Sequence, residues 1–278
     1  MGDPITFFHF TDLHIRSYAN DETSTYNTYN NMMRVLEVAR EQGVRVDFSV
    51  LTGDLSNRGV VESYVRLQTI VKHVEELGGP VLMTPGNHDD RGNFQKYLLN
   101  EEPDVTRPHF AVHEFGELKV IVLDSKLEGE FVAGGFEGDQ LARLESELAK
   151  APDQDVMLAF HHPLPPLYRD LSDQWMVREA DAERLIKMLK PYSILGIITG
   201  HVHAPMFNMI RGIPCISGIA TAFRSDHYAD DIRFIDASGF NIGYYSDGAL
   251  LLKTVMLPSS NELLRSISLQ EIRDRSKS

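Results

Sequence analysis

Nine polar residues in five short clusters have the side-chain types that bind divalent metal ions in proteins. The clusters contain Asp12, His14, Asp54, Asn87, His88, His161, His162, His201 and His203. Four of the five clusters directly follow an apolar run, so the strands of a sheet could bring them to one edge. Carboxylate, imidazole and carboxamide groups together can hold two divalent ions and leave a position for a nucleophilic water. The residue types and their order therefore predict a two-metal hydrolytic site.

Each motif is weak evidence when it is taken alone. Asp12 and His14 lie two positions apart and share one side of an extended segment, but polar loops after strands are common. Asp54 follows a glycine and could simply cap the next helix, although its two oxygens could also bridge two cations. Taken together, the motifs are stronger evidence, because six of the eleven histidines fall in these loops. Chance alone would rarely place so many of them there.

The order of the motifs resembles that of the calcineurin-like metallophosphoesterase superfamily. The pattern is Asp-x-His, Gly-Asp, Gly-Asn-His, a later His and Gly-His-x-His, and all five blocks are intact between Asp12 and His203. The variants Gly-Asn-His-Asp-Asp and His-His-Pro-Leu-Pro-Pro look most like the bacterial class III cyclic-nucleotide phosphodiesterases and related glycerophosphodiesterases. The resemblance implies an enzyme that hydrolyses small phosphodiesters with a hydroxide bridging two metals.

The resemblance also implies a role for each residue. One metal would be held by Asp12, His14, Asp54 and His203. The other metal would be held by Asp54, Asn87, His161 and His201. His88 is the predicted catalytic residue, because it would lie over the substrate phosphate and either donate a proton to the leaving oxygen or stabilise the pentacoordinate state. The predicted substrate-binding residues are Asn87, His88 and His227.

Two divalent ions per chain are the expected cofactors, and the absence of thiolates among the ligands leaves Mn, Fe, Co and Zn as candidates. A phosphomonoesterase on the same scaffold is the main alternative function. A nuclease fits less well. A non-catalytic scaffold would be expected to lack ligands, and no ligand of the pattern is missing here.

Charge and composition favour a small substrate. The chain has 278 residues and a formal net charge of −13, which argues against a long nucleic acid as partner, whereas two metal ions can create a local positive site for a small phosphate ester. No apolar stretch is long enough to cross a bilayer, and the N-terminus lacks the regions of a signal peptide. The expectation is a cytoplasmic enzyme without membrane contacts.

Several further residues have weaker predictions. His9 lies inside the first predicted strand and is expected in the core. Asp89 and Asp90 are expected to orient the loop of Asn87, and Asp124 is expected to orient a ligand.

The pattern of apolar residues predicts an α/β fold. Strands alternate with helices from Ile5 to Thr199, which indicates parallel pairing, and the later hairpins indicate antiparallel pairing. Two packed mixed β-sheets flanked by helices fit best. Residues 1–260 are expected to form a single domain. Its strand-rich part, 206–260, is open to use as a dimerisation arm, a cap or the outer half of the second sheet. The tail 261–278 is expected to form a terminal helix or to fray, and a homodimer is the commonest oligomer.

Overall fold

A computed structural model describes residues 4–18, 26–165, 175–228 and 230–271 of the chain. In chain order the strands are β1 (Ile5–Phe10), β2 (Phe48–Thr52), β3 (Val81–Thr84), β4 (Phe110–Phe115), β5 (Leu118–Leu123), β6 (Asp155–Ala159), β7 (Ile194–Thr199), β8 (Met206–Ile210), β9 (Ile213–Ser217), β10 (Arg224–His227), β11 (Asp231–Ile235), β12 (Gly239–Ser246), β13 (Ala249–Met256) and β14 (Leu263–Ser268). The helices are α1 (Thr28–Glu41), α2 (Val61–Glu75), α3 (Arg91–Asn93), α4 (Gln140–Lys150) and α5 (Glu179–Leu189), and a π-helical stretch, Phe94–Leu98, follows α3 directly.

The first sheet has the strand order β13-β12-β1-β2-β3. Strands β1, β2 and β3 are parallel, as the helical crossovers α1 and α2 require, and β12 pairs with β1 in antiparallel register. Helix α1 begins after Asn27, whose side chain accepts the backbone N–H of Asn30. Its buried residues, among them Met32, Val35 and Leu36, recur at helical spacing and pack on this sheet.

The second sheet has the order β4-β5-β6-β7-β9-β8. Strands β5, β6, β7 and β9 are parallel, whereas β4 and β5 form the predicted antiparallel hairpin. Helix α4 buries Leu141, Leu144 and Leu148 in a core cluster that also includes residues of α5. Helices therefore cover the outer face of this sheet as well.

The inner faces of the two sheets pack against each other through a separate apolar cluster. Its centre is a stack of three aromatic rings: the centroids of Phe7 and Phe48 lie 4.8 Å apart, and those of Phe48 and Phe115 lie 4.2 Å apart. Every residue of β2 and β5 is buried, because layers cover these strands on both sides, and this explains why their sequences are mostly apolar, with Ser49, Thr52 and Lys119 as the exceptions. The predicted architecture of two mixed sheets between helices is confirmed.

The segment after position 206 contributes to three different sheets. Strands β8 and β9 extend the second sheet, β12 and β13 extend the first, and β10, β11 and β14 form a small third sheet. In the predicted tail, Leu263–Ser268 pairs as strand β14 with β11, and helical residues follow from 269 to 271. No helix in the described ranges is both long and apolar enough to cross a bilayer.

The predicted ligand clusters all follow the carboxyl ends of parallel strands. Asp12 follows β1, Asp54 follows β2 and Asn87 follows β3, all in the first sheet. His161 follows β6 and His201 follows β7, both in the second sheet. Because the two sheets pack face to face, their loops meet above one end of the sandwich, where α/β proteins form their sites.

Candidate metal centre

Hydrogen bonds join the loops that carry the predicted ligands. The backbone N–H of Asp12 donates to Gly53 O at 3.1 Å, and that of His14 donates to Asp54 O at 2.8 Å. Across the sandwich, the backbone N–H of His201 donates to both carboxylate oxygens of Asp12 at 3.1 and 3.0 Å. The loops from the two sheets therefore hold one another in place.

Five of the predicted metal ligands have a left-handed backbone. Their φ angles are 52° for Asp12, 47° for His14, 49° for Asp54, 71° for His201 and 54° for His203. Residues other than glycine adopt this region rarely, and histidine does so at a cost in conformational energy. Such strain persists only where surrounding bonds enforce it, and it concentrates at functional sites. Five of the nine non-glycine residues with a positive φ in the described ranges are thus predicted ligands, and Asn87 and His161 are the predicted ligands outside this set.

The first ligand group consists of Asp12, His14, Asp54 and His203, whose ligand atoms all lie within 4.8 Å of one another. His14 Nε2 is 3.0 Å from His203 Nε2 and 3.4 Å from Asp54 Oδ2. His203 Nε2 is also 3.4 Å from Asp12 Oδ1. These are the four residues that the resemblance assigned to one metal.

The second group consists of Asp54, Asn87, His161 and His201. Asn87 Oδ1 lies 3.1 Å from His161 Nε2 and 3.0 Å from His201 Nδ1. His161 Nε2 is 3.3 Å from Asp54 Oδ1. The two oxygens of Asp54 thus face different groups, Oδ1 the second group and Oδ2 the first, which is the arrangement a carboxylate needs to bridge two ions.

Backbone carbonyls fix the tautomers of two of the histidines. His161 Nδ1 donates to Thr52 O at 2.8 Å, and His203 Nδ1 donates to Phe223 O at 3.0 Å. A neutral ring that donates from Nδ1 carries a lone pair on Nε2, and both Nε2 atoms face a carboxylate oxygen of Asp54 or Asp12. Two electron-pair donors at this separation fit a cation between them, and a hydrogen bond from the far nitrogen is the usual support of a metal-binding histidine.

The electrostatics of the centre also favour a bound cation. Burial acts to lower the pKa of His161, but the carboxylates of Asp54 and Asp12 outweigh it and raise that pKa to about 9. Burial lowers the pKa of His14 and His201 well below the usual range, against the opposing charge of Asp54. The site therefore combines buried negative charge, which holds a proton on His161 when no metal is bound, with neutral rings at His14 and His201 that can donate electron pairs, and a divalent metal suits this combination.

His88 lies at the edge of the centre rather than inside a ligand group. Its Nδ1 donates to Asn57 O at 2.8 Å, and its backbone N–H donates to Asp54 Oδ1 at 2.9 Å. The ring centroid is 4.7 Å from that of His14 at an interplanar angle of 80°. Since Asn57 holds Nδ1, Nε2 is the nitrogen that is left to meet a substrate.

His162 has hydrogen bonds that distinguish it from the predicted ligands. Ser125 Oγ accepts the backbone N–H groups of His161 and His162 at 3.2 and 3.0 Å, so its own hydrogen is left to donate to His162 Nδ1 at 2.8 Å. Neutral His162 then carries its hydrogen on Nε2, which is buried without a hydrogen-bond partner in the described ranges. Although its ring nitrogen lies within 4.8 Å of those of His161 and His201, His162 fits a hydrogen-bond donor better than a ligand. Ser125 lies far away along the sequence, so the motif alone could not have indicated this pairing.

Asp89 connects the loops of Asp54 and Asn87, as predicted for an orienting residue. Its carboxylate accepts backbone N–H groups from Leu55, Ser56 and Gly86 at 3.0, 2.8 and 2.9 Å. Burial and the charge of Asp54 raise the pKa of Asp89 to about 6. The two loops are therefore held in a single arrangement.

The remaining sequence predictions have varied outcomes. His9 is a core residue, as predicted: it is buried, and its ring contacts Thr52 Oγ1 at 2.8 Å. Asp90 caps the short helix α3 by accepting the N–H of Asn93. Asp124 pairs with Arg91 at 2.8 Å, and its described contacts do not include a predicted ligand. His227 Nε2 lies 3.4 Å from Val202 O, and its role toward substrate stays a prediction.

Comparisons with known proteins identify relatives of this chain. The sequence pattern of the family called calcineurin-like phosphoesterase matches residues 5–205. A probable cyclic nucleotide phosphodiesterase from Rhodococcus erythropolis is 32% identical over 222 residues, which are 78% of this chain and 71% of the relative. A cAMP/cGMP dual specificity phosphodiesterase from Mycobacterium tuberculosis is 30% identical over 219 residues, 78% of this chain and 68% of the relative.

Among solved structures, a dimetal phosphatase from Danio rerio has the same fold, with a TM-score of 0.59 at 17% identity over 84% of this chain and 96% of its own. The resemblance recognised in the motifs is therefore confirmed. This chain belongs to the calcineurin-like phosphoesterase family, and it is a hydrolase.

Proposed function

We propose that this protein hydrolyses small phosphodiesters, with 3′,5′-cyclic nucleotides as the first substrate class, using two divalent ions held by the two ligand groups. The observation that carries the proposal is the position of Asp54, whose two oxygens face different groups. The names of the relatives from R. erythropolis and M. tuberculosis support the substrate class. All candidate ligands come from one chain, so we expect the site to be complete in a monomer.

The ligand set points to borderline metals. Besides the shared Asp54, the first group has one carboxylate, from Asp12, and two imidazoles, from His14 and His203. The second group has the amide oxygen of Asn87 in place of that carboxylate, together with two imidazoles. Imidazole-rich sites of this kind suit Mn, Fe, Co and Zn better than Mg or Ca. Ions bound here would polarise a phosphoryl oxygen and lower the pKa of a bound water.

The residues around the groups would orient the substrate and handle its protons. His88 Nε2 is the nitrogen available to the phosphoryl group, because Asn57 holds Nδ1. When the bond between phosphorus and the leaving oxygen breaks, that oxygen needs a proton, and a protonated His88 can donate it from Nε2. His162 Nε2–H adds a second donor inside the site. Donors that are already aimed at developing negative charge stabilise a transition state without reorganisation.

The test is turnover by metal-stripped protein after reloading with Mn²⁺, Co²⁺ or Zn²⁺. Cyclic AMP, a glycerophosphodiester, bis(p-nitrophenyl) phosphate and p-nitrophenyl phosphate would be assayed side by side. We expect metal-dependent diesterase activity that exceeds the monoesterase activity. A preference for p-nitrophenyl phosphate would replace the proposal with a phosphomonoesterase, and failure to bind any of the metals would overturn the ligand assignment itself.

A further inference from the structure

A cavity of about 640 Å³ opens beside His88, on the side away from the core. Its walls come from distant parts of the sequence: Asn57 and Arg58 follow β2, Lys126 and Phe131 follow β5, and Arg265 belongs to β14. Asn87 and His88 line it too, so the cavity is continuous with the metal centre. A substituent on a phosphate held at the centre would extend into this space, which lies within the usual range for small-molecule sites.

One wall of the cavity is an exposed aromatic ring. Phe131 is 63% exposed, and its centroid is 5.0 Å from that of His88 at an interplanar angle of 63°. In a cyclic nucleotide the ribose separates the base from the phosphate. If His88 lies at the phosphate, the neighbouring ring of Phe131 is placed to contact the base. Aromatic side chains stack on any nucleobase, because every base has a flat π-face. Glycerol offers no such face, and the quaternary ammonium of choline can contact an aromatic ring only through a cation–π interaction, so stacking on Phe131 is a contact that a nucleobase alone can make.

The loop of Phe131 is held in place by a buried arginine. Arg91 is fully buried, and its guanidinium donates to Lys126 O at 2.8 Å and to Glu137 at 3.1 Å. The backbone N–H of Glu128 in turn donates to the same Glu137 carboxylate at 3.1 Å. The aromatic wall is thus supported on the side of the protein interior, which lowers the entropic cost of binding against it.

The cavity wall carries three basic side chains, Arg58, Lys126 and Arg265, and three acidic ones, Asp89, Asp90 and Glu128. Arg58 and Arg265 have no acidic partner within ion-pair distance in the part of the chain that the structure describes. The acidic residues of the lining are engaged: Asp89 accepts backbone N–H groups, Asp90 caps α3 and Glu128 lies 3.5 Å from Arg91. Two unpaired arginines would attract an anionic nucleotide, and a guanidinium can also donate to the acceptor atoms on a purine edge.

From these observations we propose that the cavity is a nucleobase subsite, in which Phe131 stacks on the base and Arg265 binds its edge. The inference rests on the proposed phosphodiesterase function and narrows it to nucleotides. It also gives the C-terminal strand β14 a role in specificity, because Arg265 reaches the cavity only through the pairing of β14 with β11.

Binding of two phosphate monoesters to the metal-reconstituted protein tests the subsite without turnover. Adenosine 5′-monophosphate and ribose 5-phosphate share the sugar phosphate and differ in the base, so the ratio of their Kd values from calorimetry measures the contribution of the base. We expect the nucleotide to bind at least about tenfold more tightly. Equal affinities would overturn the subsite.

Substitutions then assign the contribution to residues. Phe131→Ala should reduce the Kd ratio about tenfold, and Arg265→Gln should reduce it severalfold. Phe207→Ala and Arg45→Gln are the matched controls: Phe207 is 66% exposed on β8, Arg45 is exposed before β2, and neither lines the cavity. A ratio that survives both cavity substitutions would overturn the assignment. Metal-dependent turnover of bis(p-nitrophenyl) phosphate, measured in parallel, separates failure of the subsite from failure of the proposed function.

Discussion

At the scale of single residues, the site depends on hydrogen bonds that determine which nitrogen of each ring is free. His161 and His203 give their Nδ1 hydrogens to backbone carbonyls, and His88 does the same toward Asn57. His162 differs, because Ser125 donates to its Nδ1 and leaves the hydrogen on Nε2. The same residue type is therefore prepared for two kinds of interaction in one centre, electron-pair donation from His161 and His203 and hydrogen-bond donation from His162, according to its partner.

Replacing His88 by Ala tests its assignment to the leaving oxygen. We expect turnover to fall by about 10²- to 10⁴-fold, the usual contribution of a general acid, while both metals stay bound. The measurement combines steady-state kinetics with metal analysis of the dialysed protein. His73→Ala, which alters a partly exposed histidine paired with Glu76 on the surface, should change neither quantity. Loss of a metal from the His88 variant would make His88 a ligand instead.

Comparing substitutions of Asp54 and Asp12 tests which of the two carboxylates contacts both metals. Both are buried, and both have positive φ angles, which asparagine tolerates, so Asp→Asn removes the charge at either position without new backbone strain. Asp54→Asn should weaken the retention of both metals, because its oxygens face both groups. Asp12→Asn should weaken only one. Elemental analysis after dialysis against a graded chelator distinguishes these results, and equal losses in the two variants would contradict a bridging role for Asp54.

At the scale of secondary structure elements, the segment after β3 shows how one buried charge organises several loops. Arg91 at the start of α3 pairs with Asp124 after β5 at 2.8 Å, and both side chains are completely buried. Arg91 also donates to Val105 O at 2.6 Å and Lys126 O at 2.8 Å. The loops that enclose the proposed nucleobase subsite thus converge on a single guanidinium.

Replacing Arg91 by Met should lower the free energy of unfolding by about 3–5 kcal/mol, because it leaves Asp124 buried without its partner. Urea denaturation measures this change. The control is Arg107→Met, which breaks an exposed pair with Glu101 at 2.7 Å and should cost less than about 1 kcal/mol. Similar losses in the two variants would show that the buried network contributes no more than a surface ion pair.

The sequence predicted most elements of this fold but not all of them. Strands such as β2 and β5 are short apolar runs with turn signals on either side, and helices such as α1 have a clear apolar face, so local pattern was sufficient. Strand β14 has mostly exposed side chains, and its stability comes from pairing with β11 about 30 residues earlier. Helix α3 has three residues, which is too short for any periodicity. Pairing between distant segments is the information that a local pattern lacks.

The candidate site was more predictable than the elements around it, because its ligands lie in short motifs at the ends of strands. Asp12, Asp54 and His201 could be identified by residue type and position alone. The contacts of Ser125 and Arg265 could not, because each depends on a tertiary contact with a distant segment. The ligand types can therefore be read from short motifs, whereas the residues that orient the ligands and line the cavity cannot.

At the scale of the whole molecule, the reactivity of the single cysteine measures whether the two-sheet structure is folded. Cys215 lies on β9 in the second sheet, and burial raises the pKa of its thiol to about 12. At pH 8 the thiol of the folded protein should therefore be protonated and unreactive, whereas an unfolded thiol has a pKa near about 8.5. A disulfide reagent should label Cys215 only when denaturant unfolds the protein. Rapid stoichiometric labelling of the native protein would contradict the burial of β9.

The pairing of β1 with β12 has a consequence for synthesis on the ribosome. Phe8 in β1 pairs with Ile242 in β12. Strand β1 is therefore synthesised well before the strand with which it pairs. At a synthesis rate of about 5–20 residues per second, the interval between the two strands is roughly 10–50 s. During that interval β2 is available to pair with one side of β1, whereas the other side has no partner strand. The backbone groups of β1 on that side then lack their partners, and Phe8 lacks its contact with Phe240 of β12, whose ring centroid lies 5.5 Å away in the folded protein. An unpaired strand edge of this kind can pair with another chain.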